Sequence, residues 1–408
     1  MPDDPTAPRP FKPLGSYTYP DLPADDLAKS FWERLKNLTD RTVDPPIISE
    51  DLLRKASRDQ LGDHVAAPIC DLLMADLDVT LCDWADTRTH DSPLKVLVLP
   101  PCEPHNIVEV WARRRNREVL QPPDRNILLE ELGVEKADLR GDGVLIIPRL
   151  EDWFLRCRTG LTQVRSLLSG LASLERQCLI GCNSWAWPLL CKSIEADLVM
   201  PQPLCFQAFD AERLRAWFTS VMSTWGQGTT FRLPETDQLL GPDGEDAVAM
   251  PYFRKLAGQS LGIPWVAWWM WRNSLRSRRP EKKDDAKTKG DGDETKQPER
   301  EPDEPSPEEH AAGWGKTEFF LAPIENHSVP MQHQPDELLV LHALLIHGPL
   351  APEELEAVLP TMRHASITSA LVGAGLVQRS NGHASVKASA YPAVRRALSG
   401  SAFPLDRL

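Results

Sequence analysis

The sequence predicts an α/β protein, in which a parallel β-sheet flanked by helices is followed by a smaller helical unit that closes with a hairpin. Two observations carry this expectation. Between residues 95 and 208, five short apolar runs alternate with helix-like stretches, the pattern of a sheet covered on both faces. Near the C-terminus, three helical stretches precede two extended pieces joined by Asn381-Gly382, the strongest short hairpin signal. Hydrophobic residues make up 41% and charged residues 26% of the 408, a globular balance with room for two or three domains. The formal charge of -13 excludes coating DNA or an anionic membrane through net charge, while leaving room for local basic clusters. Eight cysteines with no CxxC pair read as buried thiols in a reducing compartment, so a cytoplasmic location is expected. No stretch approaches the ~20 apolar residues of a membrane span, and the N-terminus lacks a signal-like apolar region.

Taken in order, residues 1–25 carry seven prolines among small and acidic residues and are expected to form a disordered arm. Residues 26–90 are read as a helical region, because Leu27, Phe31, Leu35 and Leu38, and later Ile69, Leu72, Leu73 and Leu77, recur at helical spacing. The α/β core spans 91–235. Its strands are read at 95–99 (KVLVL), weakly at 118–120, then at 143–147 (GVLII), 178–181 (CLIG) and 204–208 (LCFQA). Residues 236–275 form a helical lid, with Trp265, Trp268 and Trp269 on one face and packed on the sheet. Residues 276–309 contain no aromatic or branched aliphatic residue, so 276–312 is read as a disordered charged linker. The last unit, 313–408, places helices at 336–347, 352–359 and 366–375 before the hairpin.

Three parts of 94–275 set up a resemblance. They are the strand–loop–helix that begins at residue 94, the acid-containing strand end at 143–152, and the polar triplet Cys182-Asn183-Ser184 at the end of a later strand. With the segment 253–272, whose Gly262-Ile263-Pro264 matches a Gly-hydrophobic-Pro motif, their order resembles a P-loop NTPase-like ATPase of the AAA+ or STAND type. The resemblance implies an ATP site with magnesium, an acidic pair and a polar sensor residue.

The residues depart from that pattern where phosphate would bind. The loop reads Pro100-Pro101-Cys102-Glu103-Pro104-His105-Asn106: three prolines remove N–H donors, no glycine gives positive-φ turns, and no lysine follows. Glu103 sets a negative charge in place of phosphate, and Asn106 with Glu109 fits a reciprocal helix cap. No cofactor is therefore expected, with ATP and magnesium held by non-standard ligands as the alternative. Pro148 and Arg149 stand where the family has its acids. Glu151 and Asp152 are either a displaced catalytic pair or acids of a first helical turn at 153–158. Asn183 is either the sensor residue or a helix cap. Gly315-Lys316-Thr317 imitates a P-loop end but follows the acidic run rather than a strand.

The terminal order of three helices and a hairpin resembles a winged-helix domain. Candidate DNA- or partner-binding residues are Arg363 and His364 at the third helix and Arg379 and Lys387 on the wing. From Asp336 onward six basic residues balance six acidic ones, which favours protein contact over DNA contact. The reading is a cytosolic regulatory or adaptor protein with a non-hydrolysing core. A protein partner is expected, and a homo-oligomer is left open. An ATP-driven switch and a winged-helix transcription regulator are the alternatives.

Overall fold

The computed structural model describes residues 4–22, 53–56, 61, 66–87, 92–129, 137–225, 229–233, 237–240, 246–278, 318–324, 327, 329, 335–360, 362, 364–406 and 408. An amino-terminal segment supplies β1 (Lys12–Pro13), followed by β2 (Leu53–Lys55) and α1 (Asp71–Asp86). The alternating region runs β3 (Leu94–Leu99), α2 (Ile107–Arg114), β4 (Glu118–Val119), α3 (Arg125–Leu129) and β5 (Leu145–Ile147). It continues with α4 (Thr162–Leu171), β6 (Cys178–Asn183), α5 (Ala186–Ile194), α6 (Ala196–Val199), β7 (Leu204–Cys205) and α7 (Ala211–Ser223). Next come β8 (Thr230–Arg232), α8 (Asp246–Gln259), α9 (Pro264–Ser274), β9 (Leu275–Arg278) and β10 (Glu318–Leu321). The last unit holds α10 (Pro335–His347), α11 (Pro352–Val358), α12 (His364–Gly373), β11 (Val377–Ser380), β12 (His383–Val386) and α13 (Tyr391–Gly400).

The main sheet has the order β1-β7-β3-β6-β5-β4, parallel throughout except for β1 at its edge. The runs that predict its centre, KVLVL and CLIG, are buried on both faces, as a sheet with helices above and below requires. Register pairs Leu99 with Asn183, so β3 and β6 end side by side. Gly181 makes this fit, because a Cβ there would stand 2.1 Å from the Pro148 carbonyl oxygen beyond β5.

Several expectations need correction. The proline-rich segment is an ordered strap over residues 4–22, with Phe11 and Tyr17 buried against Phe206. Prolines hold the segment extended at low entropic cost, and its aromatic residues supply the apolar area that its composition hid. Asp76 and Arg213 form a buried ion pair (2.6 Å) beneath it, and Asp76 also accepts from the Arg9 backbone N–H (2.7 Å). The charged run does not begin at Arg276. Leu275 and Ser277 of β9 are buried while Arg276 and Arg278 face outward, and β9 pairs with β2 and β10. Alternation of period two explains how an Arg-rich sequence forms a strand. Residues 23–50 and 279–317 lie outside the described residues, and with them most of the expected first helix and linker and the Gly315-Lys316-Thr317 triplet. The expected helix at 153–158 is instead a short 3₁₀ turn, Leu150–Trp153.

In α9 the packed residues are Trp265, Trp268 and Trp271, not Trp269. Trp268 and Trp271 stack into an aromatic cluster with Phe218, Phe231 and Trp225. The last unit contains helix, helix, helix and hairpin, and Asn381 and Gly382 take the two positive-φ positions of its turn. Helix α10 is apolar nearly all round because it lies between the core and the hairpin, touching α5 and β12. Among the described residues no helix is long and apolar enough to cross a membrane.

Trp268 is fully buried, so Trp268→Ala should cost about 3–5 kcal/mol of stability in urea unfolding. Trp269→Ala, at a partly exposed position, should cost much less, and equal losses would overturn this assignment of faces.

Candidate functional site

In an open parallel sheet, ligands bind beyond the carboxyl ends of strands, where consecutive connections leave a central strand in opposite directions. Here β3 is that strand: the chain leaves it toward β4 at one edge and later returns past it to β7 on the other side. A cleft of about 620 Å3 opens at this point. Its walls are the loop 100–106, the turn with Arg149 and Glu151, the end of β6 at Asn183, α9 with Trp269 and Arg272, and Lys387 beyond β12.

The loop is closed by its own acid. The Glu103 carboxylate accepts from the backbone N–H of His105 (2.9 Å) and of Ile107 (2.9 Å), the first residue of α2. Arg149 donates to the Glu103 carbonyl (2.7 Å), and its guanidinium lies 3.5 Å from the same carboxylate. The N–H groups and positive dipole end that would hold a phosphate are thus occupied by a side chain. Asn106 does not cap α2 as expected. It has a φ of +53° and its amide instead donates to Glu109 (2.9 Å), leaving the capping to Glu103. Without glycine, the loop bends through Cys102 at a φ of +64°, a strained position for a side-chain-bearing residue. Trp265 ties the lid to this loop by donating to the Pro101 carbonyl (3.0 Å).

The two candidate acids part company. Glu151 lines the cleft and is 7% exposed, and its carboxylate accepts from the Asn183 backbone N–H (3.0 Å). Burial, followed by the negative charge of Asp152, pushes its pKa up to about 7 against the pull of Arg149. Asp152 turns away to Arg125 (2.9 Å), which also donates to the His347 carbonyl (3.1 Å) in α10. Asn183 uses both ends of its amide. Its oxygen accepts from the N–H groups of Trp185 (2.9 Å) and Ala186 (2.7 Å), and its nitrogen donates to the Ile346 carbonyl (2.7 Å). These bonds meet the N–H groups at the start of α5 and tie the end of β6 to α10.

Of the four candidate contact residues of the last unit, three are described, and they lie on different elements. Arg363 lies outside the described residues, and His364 begins α12. Arg379 is exposed and donates to Ser369 (3.3 Å), whereas Lys387 borders the cleft and sets its ammonium beside Gly375. Sequence reasoning missed Arg272, stacked 5.0 Å over the Trp269 ring, and the pairing of Arg149 with Glu103. The second had a signal: a loop that carries an acid, Glu103, lies opposite a strand end that carries a base, Arg149. Among the described residues no group of three or more His, Cys, Asp or Glu could hold a metal ion.

No family model and no curated protein matches the chain. Among solved structures, a mutant of RuvB from Thermotoga maritima superposes with a TM-score of 0.27 at 14% identity, covering 76% of this chain and 88% of that one. A superposition so loose carries no argument about fold or role.

Glu151 has an ordinary pKa near 4.5 when unfolded and one of about 7 when folded, so between these values the folded chain holds a proton that the unfolded chain has lost. Stability from this group therefore falls as pH rises through that window, by on the order of 3 kcal/mol. Glu151→Gln should remove this slope. Unfolding free energies of both proteins at about pH 5 and about pH 8 check it, and parallel profiles would contradict it.

Proposed function

We propose that the protein is a regulatory or adaptor protein built on an AAA+/STAND-like core that does not hydrolyse ATP, with its last unit a winged helix used for protein contact. The observation that carries the reading is the Glu103 carboxylate on the N–H groups of His105 and Ile107, backed by Arg149. A triphosphate arriving there would meet a negative charge, proline nitrogens without hydrogens and no lysine. Magnesium fares no better, since Asp152 is engaged with Arg125 and Glu151 is buried with Arg149 beside it. The central place of β3 and the cleft beyond its carboxyl end support the ATPase-like ancestry of the core. Protein contact is favoured over DNA because six acidic residues balance the six basic ones from Asp336 onward, and of the hairpin-side cations Arg379 is exposed while Lys387 lies by Gly375 at the hairpin's base.

Calorimetric titration of the full chain with ATP or ADP should give no constant tighter than about millimolar. A micromolar constant would overturn the reading. Turnover lost in Glu151→Gln with binding retained would then make that residue the base of an ATP-driven switch. Random duplex DNA at physiological salt should bind more weakly than about 10⁻⁶ M, and tight sequence-selective retention would favour the transcription-regulator alternative.

A further inference from the structure

We propose that Ser389, His327 and Asn273 form an ester-hydrolysing site on the wall of the cleft, with the serine as nucleophile toward small uncharged esters and the histidine as its base. The inference goes beyond the adaptor reading and uses none of the loop on which that reading rests.

Three elements distant in sequence meet at one hydroxyl. Ser389 lies in the 3₁₀ turn Ala388–Ala390 that leads from β12 into α13, Asn273 in the last turn of α9, and His327 after β10. The Ser389 hydroxyl accepts from the Asn273 amide (3.3 Å) and stands 3.2 Å from His327 Nε2. A serine so close to a helix start ordinarily turns back on the backbone, yet this one meets two side chains from other elements. A hydroxyl has a single proton to give. With the amide as donor to the oxygen, that proton has the imidazole nitrogen as its acceptor, at the spacing of about 2.6–3.2 Å that joins a nucleophile to its base.

The hydroxyl sits where a substrate could reach it. Ser389 is 4% exposed, and both it and Asn273, the residues joined at this contact, line the cleft of about 620 Å3. Trp269, one helical turn before Asn273, borders the same space, and Leu344 and Val386 add apolar wall. A short acyl chain finds an apolar surface there, and the volume is in the range that encloses a small ligand.

In the reaction Ser389 Oγ bonds to the ester carbonyl carbon while its proton passes to His327 Nε2. The carbonyl oxygen takes up the negative charge, and the Asn273 amide, released from the hydroxyl, donates to it. Collapse breaks the bond to the alcohol oxygen, which leaves with the proton from His327. Water then attacks the acyl-serine, His327 takes its proton and returns it to Ser389 Oγ, and the carboxylic acid departs.

The full chain, given p-nitrophenyl butyrate, should release p-nitrophenol above the buffer rate and in proportion to protein concentration. Ser389→Ala and His327→Gln should each lower the rate at least about a hundredfold, the lower end of what a positioned base supplies. An alkyl fluorophosphonate, which loses fluoride as the serine oxygen bonds to phosphorus, should leave its adduct on the peptide containing Ser389. Mass spectrometry of the unsubstituted chain reads that position, so the assignment stands or falls even where a variant does not fold. No release above the buffer rate, release unchanged in a Ser389→Ala variant with an unaltered circular dichroism spectrum, or adducts confined to other residues would each overturn the proposal.

Discussion

The start of α2 presents N–H groups that no residue within the helix can satisfy, and it does so at the carboxyl edge of a buried parallel sheet. Something negative has to meet them. Glu103 meets the first of them, at Ile107, together with the His105 N–H just before the helix, and Arg149, reaching across from the end of β5, balances the carboxylate and holds the loop by its carbonyl. Either residue alone would leave a poorly hydrated charge in the cleft wall, which costs more than the pair is worth. Glu103 and Arg149 therefore complement each other physically: the acid meets N–H groups at the start of α2, and the base balances the acid.

The same edge carries the last unit. Asn183 reaches Ile346, Arg125 joins Asp152 to the His347 carbonyl, and Ser184 and Tyr391 share the buried carboxylate of Asp406. His347 and His342 are buried here, and burial with nearby Arg156 lowers the pKa of His342 to about 4, keeping the contact free of histidine charge near neutrality. Opening this interface would strand several buried polar groups together, each at a cost of about 1–3 kcal/mol. The docked arrangement is thus specified by hydrogen bonds as well as by apolar area.

What was legible in the chain divides along the reach of each signal. Local signals read well: buried runs such as KVLVL gave strands and Asn381-Gly382 gave the hairpin turn. Failures came where composition stood in for pattern or where a partner lay far along the chain. Seven prolines hid the burial of Phe11 and Tyr17, and arginines hid the period-two strand at Leu275–Arg278. Asp152 and Asn183 could be placed at a strand edge, yet their partners Arg125 and Ile346 are set by how α3 and α10 pack. For Trp269 and Trp271 the error was angular, since both lie near the edge of one helical stripe and only the tilt of α9 decides which is packed.

Both ends of the described chain reinforce the closed cleft. The N-terminal strap is fixed beneath by the Asp76–Arg213 pair, at 1% side-chain exposure on each partner, where loss of either would leave an uncompensated buried charge. Near the C-terminus, Arg395 donates to Asp406 (2.7 Å) and to the Tyr19 hydroxyl (2.8 Å), and lies 4.9 Å over the Tyr19 ring. Tyr17, two residues away, donates to the Leu261 carbonyl just before α9. Arg395 therefore connects the last unit to the strap, and Tyr17 connects the strap to the lid. The three walls of the cleft are joined to one another behind it as well as across it, so displacing the lid would also strain the contacts of the strap and of the last unit.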